Sequence, residues 1–288
     1  MRLVAYLDRN GAEALGRLDG TRVHRLPGLG RIDRRLSPKA LTPKALTPEA
    51  LAAMEPADEG VELDELTLLP VARPEKIFCV GLNYRSHVDE TGRDLPTYPV
   101  LFPKFASSLI GHGAPITLPP ESVQVDYEAE LAVVIGKPGR RISRDDAFDH
   151  VLGYTICNDV TMRDYQYKTH QWMQGKAWDG STPLGPVLVT ADELDADGLG
   201  PGRLGIALRL NGAEMQSATT DRLIFDVPEL IRVTSEFTRL EAGDVILTGT
   251  PGGVGYRRDP QVFLTDGDIV EVEIEGIGTL RNTVRAES

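Results

Sequence analysis

Two glutamates stand close together in a largely apolar segment, residues 125–136, where one alanine separates Glu128 from Glu130. In a β-strand, alternate side chains point to the same face, so the two carboxylates would lie side by side. Adjacent like charges destabilise a strand unless a cation neutralises them, and Mg²⁺ or Ca²⁺ prefers carboxylate oxygens. The pattern indicates a divalent metal site. The alternative is a solvent-exposed face on which the pair only maintains solubility.

A third acid, Asp159, stands at the end of another strand-like run, where it can supply a further metal ligand. The alternative is an ordinary cap for the helix that the sequence predicts over residues 161–175. On that helix, Arg163 and Gln166 are three residues apart and share one face. A guanidinium and an amide beside a metal site would suit the carboxylate or keto oxygen of a substrate.

His87 and Glu90 form a further pair of chemical interest, since they are three residues apart on a predicted short helix. A carboxylate that orients an imidazole produces a general base near neutral pH, although this spacing is common by chance. Lys176 lies between Gly175 and an aromatic segment, where it serves either a site or only the surface. Thr250 ends a predicted strand in a glycine-rich loop whose backbone N–H groups could bind an anion.

The elements that must position these residues are mostly short strands. Runs rich in apolar residues predict strands at 77–81, 126–136, 152–159, 184–190, 205–210, 244–249 and 268–274. A helix is predicted to begin after Asp226, with Pro228 in its first turn, and to end at Gly243. Many strands, few helices and no regular β–α–β alternation indicate an α+β, mainly β fold with a mixed β-sheet roll or barrel. The glycines at 249–255 lack the strand–GxGxxG–helix context of a nucleotide site.

The first part of the chain has a different character, which predicts a small N-terminal α/β domain at 1–72 before a catalytic domain at 73–288. Asn-Gly and Asp-Gly dipeptides, which favour hairpin turns, separate short predicted strands at 2–7, 13–18 and 21–26. Three Ser/Thr-Pro steps, at positions 37, 42 and 47, are typical of helix starts, and the third predicts a helix from Thr47 through Met54.

Composition and charge limit the kind of protein that this chain can be. Its 288 residues include 31 Lys and Arg against 43 Asp and Glu, which gives a net charge of −12. An acidic chain argues against nucleic acid or an anionic membrane as the main partner, because both select basic surfaces. No run approaches the ~20 apolar residues of a membrane helix, and Asp8 and Arg9 interrupt any signal sequence. We therefore expect a cytoplasmic protein in which Cys79 and Cys157 are reduced thiols.

Six motifs, in order, resemble those of the fumarylacetoacetate hydrolase family, and in particular its acylpyruvase-like members. They are VGLNYRSHVDE (80–90), DYEAELAVVIG (126–136), ICNDVTMRDYQ (156–166), QGKAWDGSTPLGP (174–186), RLIFD (222–226) and GDVILTGTPGGVG (243–255). The resemblance covers roughly residues 74–288 and implies a mixed β-roll and a homodimer.

The resemblance also implies roles for the residues singled out above. It assigns Mg²⁺ or Mn²⁺, with Ca²⁺ possible in a crystal, to Glu128, Glu130 and Asp159. It makes His87 and Glu90 a catalytic dyad on a lid and Lys176 a catalytic residue that contacts the substrate or its oxyanion. Substrate contacts are expected from Arg163, Gln166, Thr250, Gly249, Tyr84 and Arg85.

The activity that the resemblance implies is Mg²⁺-dependent hydrolysis of a carbon–carbon bond in a 2,4-dioxo acid, with release of pyruvate, as in the catabolism of aromatic compounds. The alternatives on the same metal platform are oxaloacetate decarboxylation and the hydration or isomerisation of a 2-oxo acid. A third hypothesis is a metal-binding protein without catalytic activity. Trp178 departs from the family pattern at a position beside Lys176, so we expect this departure to affect the substrate rather than the metal.

Overall fold

The computed structural model describes residues 1–34, 48–196 and 201–287. The predicted helix starts at positions 37, 42 and 47 lie outside these residues. Within them the protein is mainly β, as the sequence indicates, with strands β1 (Arg2–Leu7), β2 (Glu13–Asp19), β3 (Arg22–Arg25), β4 (Val61–Glu62), β5 (Thr67–Leu68), β6 (Ile77–Gly81), β7 (Val100–Lys104), β8 (Leu109–Ile110), β9 (Ile116–Leu118), β10 (Val125–Asp126), β11 (Ala129–Ile135), β12 (Val151–Asn158), β13 (Thr161–Met162), β14 (Thr182–Thr190), β15 (Gly205–Leu210), β16 (Ala213–Thr219), β17 (Val245–Leu247), β18 (Ile269–Ile274) and β19 (Gly278–Ala286).

The strands form one large mixed sheet, one smaller mixed sheet and a short pair. The twelve-stranded sheet has the order β4-β3-β2-β1-β14-β12-β11-β17-β6-β7, with β5 beside β1 and β8 beside β14. The five-stranded sheet has the order β16-β15-β18-β19-β9, and β10 pairs with β13. Most neighbours are antiparallel, but β17 runs parallel to β6 and β19 runs parallel to β9.

The centre of the large sheet is covered on both faces. Every residue of β11, β12 and β14 is buried, which explains why these strands appear in the sequence as continuous apolar runs. Alternate residues of β11 face two different cores: Leu131 and Val133 contribute to one, and Ala132 and Val134 to the other. The first core also contains the inner face of the five-stranded sheet, so the two sheets pack against each other.

The N-terminal strands extend the same large sheet. β1 pairs with β14, in the register Arg2 with Val189, and β2 and β3 follow as antiparallel neighbours. The predicted strands at 2–7, 13–18 and 21–26 are therefore present, while the domain boundary at 72/73 stays a prediction.

The helices are few and short: α1 (Pro48–Ala52), α2 (Arg85–Thr91), α3 (Arg163–Gln166), α4 (Met173–Lys176), α5 (Ala191–Ala196) and α6 (Val227–Phe237). The Asp226 cap of α6 is confirmed, since its carboxylate accepts a hydrogen bond from the Glu229 N–H at 3.1 Å. The helix ends at Phe237 rather than Gly243, because Leu240 forms a bridge with Gly139. None of the helices in the described ranges is long and apolar enough to cross a membrane.

The single helix predicted over 161–175 is wrong. The segment begins as strand β13, which pairs with β10, and then forms the two short helices α3 and α4. Gly175 packs directly against Gln166, since a Cβ atom at Gly175 would lie 2.6 Å from the Gln166 Cα. In one continuous helix these residues would be about 13 Å apart along the axis. The broken path returns Lys176 to the vicinity of Gln166.

Candidate active site

Glu128, Glu130 and Asp159 converge at the edge of the buried sheet centre. One carboxylate oxygen from each lies within 4.8 Å of those of the other two, and all three residues are buried. Their approach follows from the pairing of β11 with β12, which brings Ala129 opposite Asn158. The Asp159 N–H donates to the Glu128 carbonyl at 2.8 Å. The solvent-exposed face considered for the two glutamates is thus wrong, and α3 is capped at Met162 rather than Asp159.

A break in the predicted strand 126–136 turns Glu128 into this cluster. Side-chain oxygens there take the place of the backbone acceptors of a regular β-ladder. The Glu128 N–H donates to Asn158 Oδ1 at 3.0 Å, and the Ala129 N–H donates to Gln216 Oε1 at 2.9 Å. Gln216 also donates to Thr250 Oγ1 at 2.8 Å. The sequence patterns did not indicate Gln216, whose only signal is an amide in the alternating strand β16.

Two buried lysines compensate part of the acidic charge. Lys176 Nζ lies 2.7 Å from Glu128 Oε2 and 2.8 Å from Asp159 Oδ2, so the surface role considered for it is wrong. Lys104 Nζ lies 2.6 Å from Asp159 Oδ1 and donates to the Val160 carbonyl at 3.1 Å. Lys104 was not anticipated from the sequence. Its only local signal is a charged residue that follows the apolar run of β7.

Arg163 is the third buried cation, and two carboxylates and an amide of the protein surround its guanidinium. Its guanidinium lies 2.8 Å from Asp126 Oδ2 and 2.7 Å from Glu128 Oε1, and it donates to Gln166 Oε1 at 3.0 Å. The predicted shared face of Arg163 and Gln166 is therefore present. Asp126, which the sequence analysis passed over, is the main partner of this arginine.

The electrostatics of the cluster favour a divalent cation. Burial opposes ionisation of Glu128, but Lys176 and Arg163 lower its pKa to about 2. Burial raises the pKa of Glu130 well above its ordinary value, and the charges of Asp159 and Glu128 raise it further. Among the residues that the structure describes, Glu130 forms no ion pair like those of Glu128 and Asp159, and it accepts a hydrogen bond from the Gly249 N–H at 2.8 Å. The cluster offers the oxygen ligands that a hard metal ion prefers, and its negative charge is not fully compensated by the protein.

The His87–Glu90 dyad lies on α2, as predicted. His87 Nδ1 is 2.6 Å from Glu90 Oε1, and Glu90 Oε2 accepts a hydrogen bond from the Gly253 N–H at 2.8 Å. The Gly252 N–H donates to Ser86 Oγ at 3.0 Å, so the helix is attached to the glycine-rich loop at two points. The loop N–H groups predicted to bind an anion instead serve side chains of the protein at these positions.

A cleft above the acidic cluster brings together most of the predicted residues: His87, Glu128, Glu130, Arg163, Gln166, Lys176 and Thr250. Tyr84, Arg85 and Gly249 do not line it. Tyr84 is buried beneath α2, Arg85 is exposed, and Gly249 contributes its N–H to Glu130. Trp178 also lies elsewhere, in edge-to-face contact with Tyr165 at 5.0 Å, so its bulk does not shape this cleft. Residues that the sequence analysis missed complete the lining, among them Arg93, Phe102, Tyr167 and Trp172.

Comparison with known proteins identifies the family. The profile described as "Fumarylacetoacetate (FAA) hydrolase C-terminal" matches residues 76–285. The mitochondrial oxaloacetate tautomerase of Xenopus laevis is 48% identical over 219 residues, 75% of this chain and 67% of that protein. A human mitochondrial oxaloacetate tautomerase is 48% identical over 223 residues, 76% of this chain and 70% of that protein.

Solved structures extend the similarity to the full length of the chain. The fumarylacetoacetate hydrolase of Exiguobacterium antarcticum has 36% identity and a TM-score of 0.81, with all of both chains covered. The 5-carboxymethyl-2-hydroxymuconate delta-isomerase of Mycobacterium smegmatis has 34% identity and a TM-score of 0.80, again with complete coverage. These similarities, and the motifs that form the acidic cluster and the dyad, show that the chain belongs to the fumarylacetoacetate hydrolase family.

Proposed function

We propose that this protein is a divalent-metal-dependent enzyme that interconverts the enol and keto forms of oxaloacetate or a closely related 2-oxo acid. The observation that carries the proposal is that His87, held by Glu90, lines the same cleft as the acidic cluster. The sequence analysis placed carbon–carbon hydrolysis first and isomerisation among the alternatives. The two tautomerases reported above are about half identical to this chain, and they favour the alternative.

The three clustered carboxylates, Glu128, Glu130 and Asp159, are the residues that would hold the cation. A divalent ion bound there supplies a Lewis acid that polarises the 2-oxo group of the substrate. Mg²⁺ and Mn²⁺ both suit an all-oxygen ligand set.

The dyad is suited to proton transfer. Tautomerisation breaks the O–H bond of the enol and forms a C–H bond at carbon 3, so one proton moves and no water is consumed. With Nδ1 engaged by Glu90, the Nε2 atom of His87 is left to accept and return that proton. Contacts between α2 and the glycine-rich loop hold the imidazole over the cleft.

Lys176 and Gln166 retain donors for the substrate. The ammonium group of Lys176 has three hydrogens, and two carboxylates lie at hydrogen-bonding distance. The Gln166 carbonyl oxygen accepts from Arg163, which orients the amide and leaves its NH₂ group for a substrate oxygen. These two side chains position a carboxylate or an enolate oxygen beside the acidic cluster.

Hydrolysis of an acylpyruvate is the second candidate, because the same His87–Glu90 dyad is equally able to activate a water molecule. The two candidates differ in whether that water reaches the substrate. The homodimer and the cytoplasmic location expected from the sequence remain predictions, and the two tautomerases reported above are named as mitochondrial.

A spectrophotometric assay separates the candidates. Enol-oxaloacetate and acetylpyruvate are each followed by their enol absorbance, with Mg²⁺ and with EDTA, and pyruvate is quantified at the end. We expect metal-dependent decay of the oxaloacetate enol band, above the rate without protein and without release of pyruvate. Cleavage of acetylpyruvate with no effect on oxaloacetate would instead establish the hydrolase, and pyruvate from oxaloacetate would establish a decarboxylase.

A further inference from the structure

Arg93 differs from the other cations that line the cleft. Lys176 and Arg163 each lie within 2.8 Å of two carboxylates. For Arg93, by contrast, no carboxylate partner occurs in the part of the chain that the structure describes. Its guanidinium instead lies over the ring of Trp172, with the carbon atom 5.5 Å from the ring centroid. Arg93 is exposed and lines the mouth of this acidic site, so its charge is available to an anionic ligand.

The platform beneath Arg93 is held firmly. Trp172 packs over Gly81, where a Cβ atom would lie 2.3 Å from the indole, and it makes an edge-to-face contact with Phe102 at 5.6 Å. Arg93 itself follows the left-handed Gly92 that ends α2, and its N–H donates to the Val88 carbonyl at 3.3 Å. The guanidinium therefore sits on a fixed aromatic surface, directly after the helix that carries the dyad.

Arg93 and Trp172 line two adjoining spaces. The inner cleft above the acidic cluster has about 20 Å³ of free volume, which is room for about one water molecule. The outer chamber has about 400 Å³ and shares Arg93, Phe102, Tyr167 and Trp172 with the cleft. A 2-oxo acid whose reactive end lies at the acidic cluster would therefore direct its other end toward these four residues.

We propose that Arg93, stacked on Trp172, binds the distal carboxylate of a dicarboxylic 2-oxo acid and thereby determines substrate specificity. The inference rests on the proposed function and identifies the feature of oxaloacetate that the site selects. A guanidinium forms two parallel hydrogen bonds to a carboxylate, and the stacked ring leaves the edge of the guanidinium free to make them. Arg163 cannot take this role, because Asp126 and Glu128 already occupy it.

The test compares Arg93→Met and Arg93→Lys with a matched control, Arg257→Met. Arg257 also stacks on an aromatic ring, that of Tyr256 at 5.2 Å, and contacts the end of α2 through the Thr91 carbonyl, but it does not line the cleft. Steady-state rates are measured with oxaloacetate, and inhibition is measured with oxalate, which has the chelating end of the substrate but no distal carboxylate. Thermal melting checks that each variant is folded.

We expect Arg93→Met to raise KM for oxaloacetate about 10- to 100-fold, the typical effect of a lost hydrogen bond to a charged group, with a smaller change in kcat. Oxalate inhibition should stay within about twofold of the wild type, Arg93→Lys should recover part of the loss, and Arg257→Met should match the wild type.

Equal weakening of oxalate and oxaloacetate in Arg93→Met would overturn the inference, and so would no change in either. If the wild-type protein neither turns over oxaloacetate nor binds oxalate with Mg²⁺, the proposed function itself fails and the inference falls with it. If oxalate binds and oxaloacetate reacts normally in Arg93→Met, only the inference fails.

Discussion

Strands β11 and β18 carry the same acidic pattern in two different surroundings. Glu130 stands in β11 and Glu128 directly precedes that strand, and Glu271 and Glu273 stand in β18 with the same spacing. The second pair faces solvent: Glu271 is 30% exposed and lies 3.3 Å from Arg281, whereas Glu273 is 49% exposed and lies 2.7 Å from Arg209. The first pair is buried in the centre of the large sheet.

The difference shows that spacing alone does not identify a site. Water screens two like charges on an exposed strand, so the β18 pair costs little and its ion pairs contribute little. In the interior the same repulsion is strong, and the buried cations around Glu128 and the Gly249 N–H at Glu130 offset part of it. The pKa of Glu130 is raised, so its ionised form destabilises the folded protein, and a bound cation would remove this destabilisation.

The largest expected effect comes from removing one acid of the buried pair. Glu130→Ala should lower kcat for the proposed reaction by about a thousandfold, because a lost ligand removes several kcal/mol of transition-state stabilisation. The same assay should show no response to Mg²⁺. Glu271→Ala, the matched control in β18, should retain wild-type activity, and metal-dependent turnover in Glu130→Ala would contradict the ligand assignment.

A smaller effect is expected on the stability of the metal-free protein. Because the folded-state pKa of Glu130 is raised, the native protein binds more protons than the unfolded chain between the ordinary pKa near 4.5 and the raised value. Its contribution to stability therefore falls as pH rises through that window. Glu130→Gln removes this titration, so the metal-free variant should be more stable than the wild type by about 1 kcal/mol above the window.

Urea unfolding in EDTA across a series of pH values measures this difference. The gap between variant and wild type should close as pH approaches 4.5, and added Mg²⁺ should stabilise only the wild type. A variant that is less stable than the wild type at every pH would show that Glu130 is not electrostatically strained.

The smallest effect is expected on the exposed strand. Glu273→Gln should change the free energy of unfolding by less than about 1 kcal/mol, because its ion pair with Arg209 is solvent-exposed. Urea unfolding at low and high salt measures it, and the small difference should shrink further at high salt. If the free energy of unfolding fell as much as it does when a buried ion pair is broken, the contrast between the two strands would not hold.

The parts of the site that could be predicted from sequence are those that depend on short separations. The dyad on α2 needs only a three-residue spacing on a helix, and the Asp226 cap needs only the first turn of α6. The helix predicted over 161–175 failed because the contact between Gly175 and Gln166 depends on packing in three dimensions. Lys104 and Arg93 were missed for the same reason, since neither stands in a pattern that marks its role.

The sequence by itself determined the strand-rich fold, the spacing of the dyad on α2 and the family, because hydrophobic patterns, helical spacing and motifs are read directly from the chain. Only the tertiary structure decided which acidic pair is buried, which cations reach it and which arginine of the cleft has no acidic partner among the described residues. The physical reason is that burial and charge compensation depend on groups far apart in sequence: Lys104 and Asp159 are 55 residues apart, yet they meet at 2.6 Å.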